Sequence, residues 1–304
     1  MTTRTPFAAY ATVRSGLEIY ALGLLAVAVL SACGGGDAVT VQSTAPSTTS
    51  KPSTFVVSSS LAVPTTVMAA GTVRYMIQGF QGSDAVSKEG IASVPTFDAT
   101  RAVIAVDNHS LAATNGTYAV QEFMGDATFA QGRWTKGQPT ISGVVSSTPL
   151  TGTDSTALHY LITRDMATFP AAGDYKCGTN VRSTGLTYSG TTGVIPSSTM
   201  LVGVALPDAT ITIGGSGAVV ALRSITVFAG DDIAQDTAAQ TLTFAIPGAG
   251  PVYLDNYATQ GEGTAFVLGA GTATNEITLG MALRRSMSNG TRYKGMTSVI
   301  CTKP

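Results

Sequence analysis

Apolar side chains recur at every second position along much of this chain, and that period suits strands and little else. Ile277, Leu279, Met281 and Leu283 alternate with Glu276, Thr278, Gly280, Ala282 and Arg284. Leu242, Phe244 and Ile246 alternate with Thr241, Thr243 and Ala245, and Ala209, Ile211 and Ile213 with Thr210 and Thr212. Successive side chains of a strand point to opposite faces, so each run offers one apolar face and one small or polar face. Further strand candidates are residues 73–80, 101–106, 117–123, 140–146, 157–164, 199–205, 218–228 and 291–301.

Turn chemistry separates these runs. Asn289-Gly290 lies between two alternating segments, and Asn115-Gly116 precedes another. A type I′ turn needs positive φ at both central residues, which makes Asn-Gly the strongest short-range hairpin signal. Residues 231–240 (DDIAQDTAAQ) are the one helix candidate, with Asp231 or Asp232 as its N-cap. Many strands, frequent Gly and Pro and almost no helical period predict an all-β, antiparallel fold, either a β-sandwich or a partly closed β-barrel. Tyr175-Lys176-Cys177 near the middle and Tyr293-Lys294 before Cys301 near the end share a short pattern. It leaves two similar halves, 71–180 and 181–304, open beside a single β-rich domain of residues 71–304.

The first seventy residues differ from the rest. Arg4 and Arg14 precede a charge-free apolar stretch, residues 19–32 (IYALGLLAVAVLSA). A bilayer-spanning helix needs about 20 apolar residues, whereas the apolar core of a secretory signal needs about 7–15. The stretch ends Leu30-Ser31-Ala32-Cys33, which resembles the lipobox of bacterial lipoproteins. The resemblance implies residues 1–32 as a removed signal peptide, diacylglycerol on the Cys33 sulfur and often an N-acyl group on the new amino terminus. Two or three acyl chains, at about 0.8 kcal/mol per buried CH₂, hold a protein on a membrane durably. Gly34, in place of the Asp that retains enteric-type lipoproteins at the inner membrane, favours the outer membrane. The implied partners are the membrane itself and the lipoprotein-processing and sorting machinery.

Of residues 34–70, twenty of 37 are Ser, Thr, Pro or Gly, and only Asp37 and Lys51 are charged. So little apolar surface cannot offset the entropy of ordering the chain, and residues 33–70 read as a disordered, lipidated tether. Charged residues make up 12% of the chain, about half the usual share of roughly 25%. Without the signal segment, 15 basic residues face 17 acidic ones, and no basic cluster follows a phosphate backbone. Nucleic acid is therefore excluded as an expected partner. Cys177 and Cys301 remain once Cys33 is acylated, and an even pair in an oxidising compartment reads as a disulfide joining the halves. Two buried free thiols are the alternative.

Few residues point to chemistry. His109, in Asp107-Asn108-His109 just past a predicted strand, and His159 could serve a metal or a Ser/His/Asp set, but no ligand cluster accompanies either. Asp231, Asp232 and Asp236 could offer oxygens to Ca²⁺, although their spacing matches no EF-hand loop. The single tryptophan lies in Gly132-Arg133-Trp134-Thr135-Lys136-Gly137. An exposed Trp134 flanked by Arg133 and Lys136 could stack on a sugar ring or anchor a protein, whereas a core Trp134 would leave the cations solvated. Neither a catalytic motif nor a cofactor motif stands out. The expected function is a lipid-anchored cell-envelope protein with a non-catalytic role: binding an unidentified ligand or partner, adhesion or structure. An anchored hydrolase of polymers and an outer-membrane assembly or export accessory are the alternatives.

Overall fold

The computed structural model describes residues 66–304 apart from 83, 167–169, 178–181, 185–186, 190–201, 206–208, 215–216, 223–224, 230–231, 237–239, 246–251, 256–262 and 287–291. Cys33, the signal segment and nearly all of the tether lie outside the described residues.

The fold is all-β. In chain order the first ten strands are β1 (Val73–Gln81), β2 (Asp84–Ala92), β3 (Thr96–Phe97), β4 (Val103–Val106), β5 (His109–Ala112), β6 (Ala119–Gly125), β7 (Phe129–Ile141), β8 (Val144–Val145), β9 (Leu150–Thr151) and β10 (Leu158–Arg164). They form one sheet in the order β2-β1-β10-β7-β5-β4-β3, with β6, β8 and β9 also paired to β7. The next are β11 (Gly173–Cys177), β12 (Arg182–Ser183), β13 (Thr187–Ser189), β14 (Val202–Ala205), β15 (Ala209–Gly214), β16 (Gly217–Leu222), β17 (Ile225–Ala229), β18 (Asp232–Asp236), β19 (Gln240–Ala245), β20 (Val252–Asp255), β21 (Gly263–Ala270), β22 (Glu276–Ser286) and β23 (Arg292–Thr302). A second sheet runs β19-β16-β15-β11-β23-β22-β21-β20, with β12 and β13 on β23, and β14-β17-β18 form a small third sheet. The ladders are antiparallel. Among the described residues the only helical piece is one 3₁₀ turn, Asp154–Thr156.

Several sequence expectations are met and several are corrected. Asn115 (φ 52°) and Gly116 (φ 75°) make a two-residue turn inside the Thr114–Thr117 bridge. Asn289-Gly290 lies outside the described residues, but the strands on either side, β22 and β23, pair along their whole length. The expected helix at 231–240 is not formed: Asp232–Asp236 is β18, paired residue for residue with Ile225–Ala229. A ten-residue helix is marginal by itself, and a neighbouring strand offers the same backbone groups immediate partners. The domain also begins before residue 71, because Met68 is buried in the first core and Ala69 N–H donates to Ala127 O. The change of sheet falls between Arg164 and Gly173, so β11 belongs to the second sheet and not to a first half ending at 180.

Each sheet has its own apolar core. Val73, Tyr75 and Ile77 of β1, Ala130 and Trp134 of β7, and Leu158, Tyr160 and Ile162 of β10 face one way, together with Val103, Val106 and Leu111. Tyr160 on β10 lies three strands from β4, which in a flat sheet would be roughly 14 Å at about 4.8 Å per strand. Its hydroxyl is nevertheless 3.4 Å from the Val103 amide nitrogen, so the first sheet is rolled around this core. In the second sheet Ile277, Leu279, Met281 and Leu283 pack with Phe266, Leu268, Tyr293, Val299, Ile211 and Ile213. This is the apolar row that the alternation predicts.

The other face of each sheet meets its counterpart. Met76 and Leu161 from the first sheet pack on Ala265, Val267, Ala282 and Met296 from the second. Gly269 and Gly280 allow the close approach: a Cβ on either would stand 2.3 Å from Thr163 or 2.7 Å from Leu161. The central strand β1 is consequently buried on both faces.

Candidate functional site

The seam between the sheets is far more polar than either core, and this follows from strand parity. Because Tyr75 and Ile77 face the first core, Arg74, Met76, Gln78 and Phe80 must face the seam. Registers then align Ser87 of β2, Gln78 of β1, His159 of β10 and Arg133 of β7 in one lateral row. On the opposing sheet, Arg284 of β22, Lys294 of β23 and Thr187 of β13 form a second row. A buried polar group without a partner costs a few kcal/mol, so such rows persist only where hydrogen bonds are met across the gap.

Most of those bonds are present. Gln78 Nε2 donates to Leu283 O at 3.0 Å and Gly295 O at 2.6 Å. Gln131 Nε2 donates to Met296 O, while its Oε1 accepts from Ser298 Oγ at 2.8 Å. His159 Nδ1 is 2.7 Å from Thr184 Oγ1. Burial, followed by the charges of Arg133 and Lys294, holds the His159 imidazole well below its usual pKa and therefore neutral. Lys294 Nζ donates to Val86 O at 2.7 Å and Ser87 Oγ at 3.3 Å, and Arg284 Nη2 donates to the same Ser87 Oγ at 3.0 Å.

The electrostatics sharpen at one end of the seam. Lys294 is 1% exposed, and its ammonium lies 5.0 Å from the centroid of the Phe80 ring. Arg292, exposed, holds its guanidinium carbon 5.9 Å from the same centroid. Burial, then Arg284 and Arg292, lowers the Lys294 pKa to about 7.

The residues singled out from the sequence are distributed otherwise. Trp134 is fully buried and donates from Nε1 to Val103 O at 2.7 Å, with Tyr160 tilted against it at 6.0 Å. This corrects the exposed stacking reading, since no ring face reaches solvent. Arg133, one residue on, points into the seam and pairs with Glu122 at 2.7 Å, so it is neither solvated nor free for a ligand. Lys136 alone of the three is exposed. Asp231 lies outside the described residues, and Asp232 and Asp236 end one five-residue strand. Among the described residues no group of three His, Cys, Asp or Glu is placed to hold a metal.

The two histidines lie in different layers. His109 Nδ1 accepts the Ser142 N–H at 3.1 Å, which leaves Nε2 to donate to Tyr75 Oη at 3.3 Å, and Tyr75 donates on to Asp107 Oδ2 at 2.9 Å. Burial lowers the His109 pKa, against the opposing pull of Asp107. His159 is in the seam. Cys177 and Cys301 are joined by a disulfide, 124 residues apart in sequence and directly opposite across β11 and β23. Both strands are neighbours within the second sheet, so the bridge cross-links that sheet and does not tie two halves together. A cleft of about 410 Å³ between Met166, Pro170 and the β21–β22 turn carries, among the described residues, one ionisable group, Glu276, whose carboxylate accepts from Thr272 Oγ1 and Ala273 N.

Compared with known proteins, the chain matches no family model, no curated protein and no solved structure.

Lys294, Arg284, Thr187 and Gln78 are the seam residues that reading the sequence missed. A weak signal for them exists in β1: apolar residues occupy both parities, as in a strand buried on both faces, and a single Gln interrupts one of them.

Proposed function

We propose that this is a lipid-anchored cell-envelope protein with a non-catalytic binding or structural role, held at the outer membrane through acylated Cys33. The observation that carries the non-catalytic part is the fate of the titratable side chains. His109 in the first layer, and Arg74, His159 and Arg133 in the seam, each hold two parts of the fold together and do not converge on an open cleft. General acid–base chemistry needs such groups within reach of a reacting atom. The anchor rests on the Leu30-Ser31-Ala32-Cys33 pattern behind its apolar stretch, and the tether would hold the two-sheet body clear of the lipid.

The test is protease digestion of intact and permeabilised cells, with Cys33→Ala as the unanchored control. Release of the control from the membrane fraction is expected. Its retention in the membrane fraction would sink the anchor. Digestion in intact cells assigns the domain to the cell surface and favours capture or adhesion, and protection until permeabilisation assigns it to the periplasm and favours envelope maintenance.

A further inference from the structure

We propose that His109 is an acid-sensitive latch: a proton added at its Nδ1 detaches the Ser142-Gly143 turn from the Asn108-His109 corner and opens that end of the first sheet. This goes beyond the anchored binding role and does not depend on it, because every group involved belongs to the first sheet.

The geometry of two hairpin tips carries it. Asp107-Asn108 connects β4 to β5 and is closed by the Val106–His109 pair, and Ser142-Gly143 connects β7 to β8 and is closed by the Ile141–Val144 pair. The tips are bonded to each other: Gly143 N–H donates to Asn108 O at 2.8 Å, and Ser142 N–H donates to His109 Nδ1 at 3.1 Å. Ser142 stands at φ 54° and Asp107 at φ 52°. A residue with a side chain keeps such a left-handed conformation only where its surroundings hold it there. The imidazole is one of the groups that hold Ser142.

The direction of each hydrogen bond fixes where a proton enters. A backbone N–H can only donate, so Nδ1 is the accepting nitrogen and Nε2 carries the ring hydrogen. Nε2 faces Tyr75 Oη at 3.3 Å, and Tyr75 donates to Asp107 Oδ2 at 2.9 Å. An added proton therefore goes to Nδ1, on the lone pair that the Ser142 amide occupies. Two N–H groups then point at one another, and the bond to Ser142 is lost while the bond to Tyr75 persists. The ring is buried at 2% exposure beneath exposed tips, so release of the turn also brings water to the imidazolium.

The charged groups around the ring set the sense of the response. Asp107, on the same hairpin, favours the charged ring, whereas Lys88 of β2 opposes it. Tyr75 of β1 stays a neutral phenol, its pKa raised by burial, then by Asp107 and Glu89. The Ser142-Gly143 turn brings no ionisable side chain. Burial dominates and holds the His109 pKa below its ordinary value of 6.5. In the released turn the ring regains that ordinary value. Below pH 6.5 the open form thus binds the extra proton and gains population as pH falls, by at most about tenfold per pH unit.

The experiment uses the full ¹⁵N-labelled chain in detergent from pH 7.5 to pH 4.5. Two quantities are followed by NMR: protection of the Ser142 and Gly143 amides, corrected for intrinsic exchange, and the His109 ring nitrogen shifts. Acid also charges Lys294 in the seam, so the amides of Leu161 and Ile162 on β10 serve as the standard for opening that is not local. Protection of Ser142 relative to that standard should fall about fivefold between pH 7 and pH 5, in step with protonation at Nδ1. His109→Asn offers Ser142 a side-chain oxygen that does not titrate, and should keep the turn protected at both pH values. If His109→Asn does not fold, His109→Gln serves the same purpose, and the coincidence of the two wild-type transitions is itself decisive. Ser142 protection that stays constant while His109 protonates, or that falls equally in His109→Asn, overturns the proposal.

Discussion

Arg284 and Lys294 are register partners on adjacent strands of the second sheet, and both donate to the one hydroxyl of Ser87 on the first. Two cations thereby share an acceptor across the seam, and the consequences are measurable.

The first consequence is a pH dependence. Lys294 titrates near 7 in the folded protein and near 10.5 when unfolded. Between those values the unfolded chain binds the extra proton, so stability increases as pH rises through this window and is lower below it. The slope cannot exceed about 1.4 kcal/mol per pH unit for one proton. Urea midpoints measured from pH 6 to pH 10 in phosphate-free buffer should climb, and Lys294→Met should flatten the curve. A wild-type curve already flat across that range would show that the lysine is not held in this environment.

Gln78 tests the seam itself. Its amide donates to two carbonyls of the opposing sheet, on β22 and on β23. Gln78→Leu keeps the volume but removes both donors, and is expected to cost about 1–3 kcal/mol. Hydrogen exchange should speed up most along β1 and β23 while the two apolar cores stay protected. Uniform acceleration everywhere would instead mean that the sheets open as one unit.

Trp134 makes a prediction that separates a core residue from a ligand platform. Its emission should be blue-shifted, resist acrylamide quenching and not change when soluble saccharides are added. Trp134→Ala should destabilise by about 3–5 kcal/mol, and Trp134→Phe by less, through loss of the hydrogen bond to Val103 O. Strong quenching by acrylamide would contradict the burial.

The Cys177–Cys301 bridge closes a long loop within one sheet. Replacing both cysteines by serine should cost about 2–5 kcal/mol. The loss should appear as faster exchange in β11 and β23, with the first sheet's core unaffected. Equal loosening of both sheets would show that the bridge has a wider reach than its position in the fold gives it.

Much of the second sheet was legible in the sequence. The alternation from Ile277 to Leu283 named the very row that lines its core, and Asn115-Gly116 named a turn. Parity and composition could not say which polar residues lie opposite one another. Trp134 illustrates the difficulty: its glycine and cation neighbours look like a surface loop, yet strand parity sends Arg133 into the seam and Trp134 into the first core. The 231–240 segment fails for a related reason. Its local composition permits a helix cap, but Ile225–Ala229 supplies a strand partner that the segment alone cannot reveal.

The sequence by itself determined that this chain makes strands, that it carries a lipobox-like Cys33 behind an apolar stretch, and that two further cysteines could pair. Only the tertiary structure decided that two sheets meet through their polar faces, and that Lys294 and Arg292 stand over Phe80. The physical reason is that periodicity is a local property, fixed by the two-residue repeat of a strand. Register across strands and the pairing of sheet faces are set by long-range packing. Residues 80, 87, 187, 284 and 294 become neighbours only after that packing is complete.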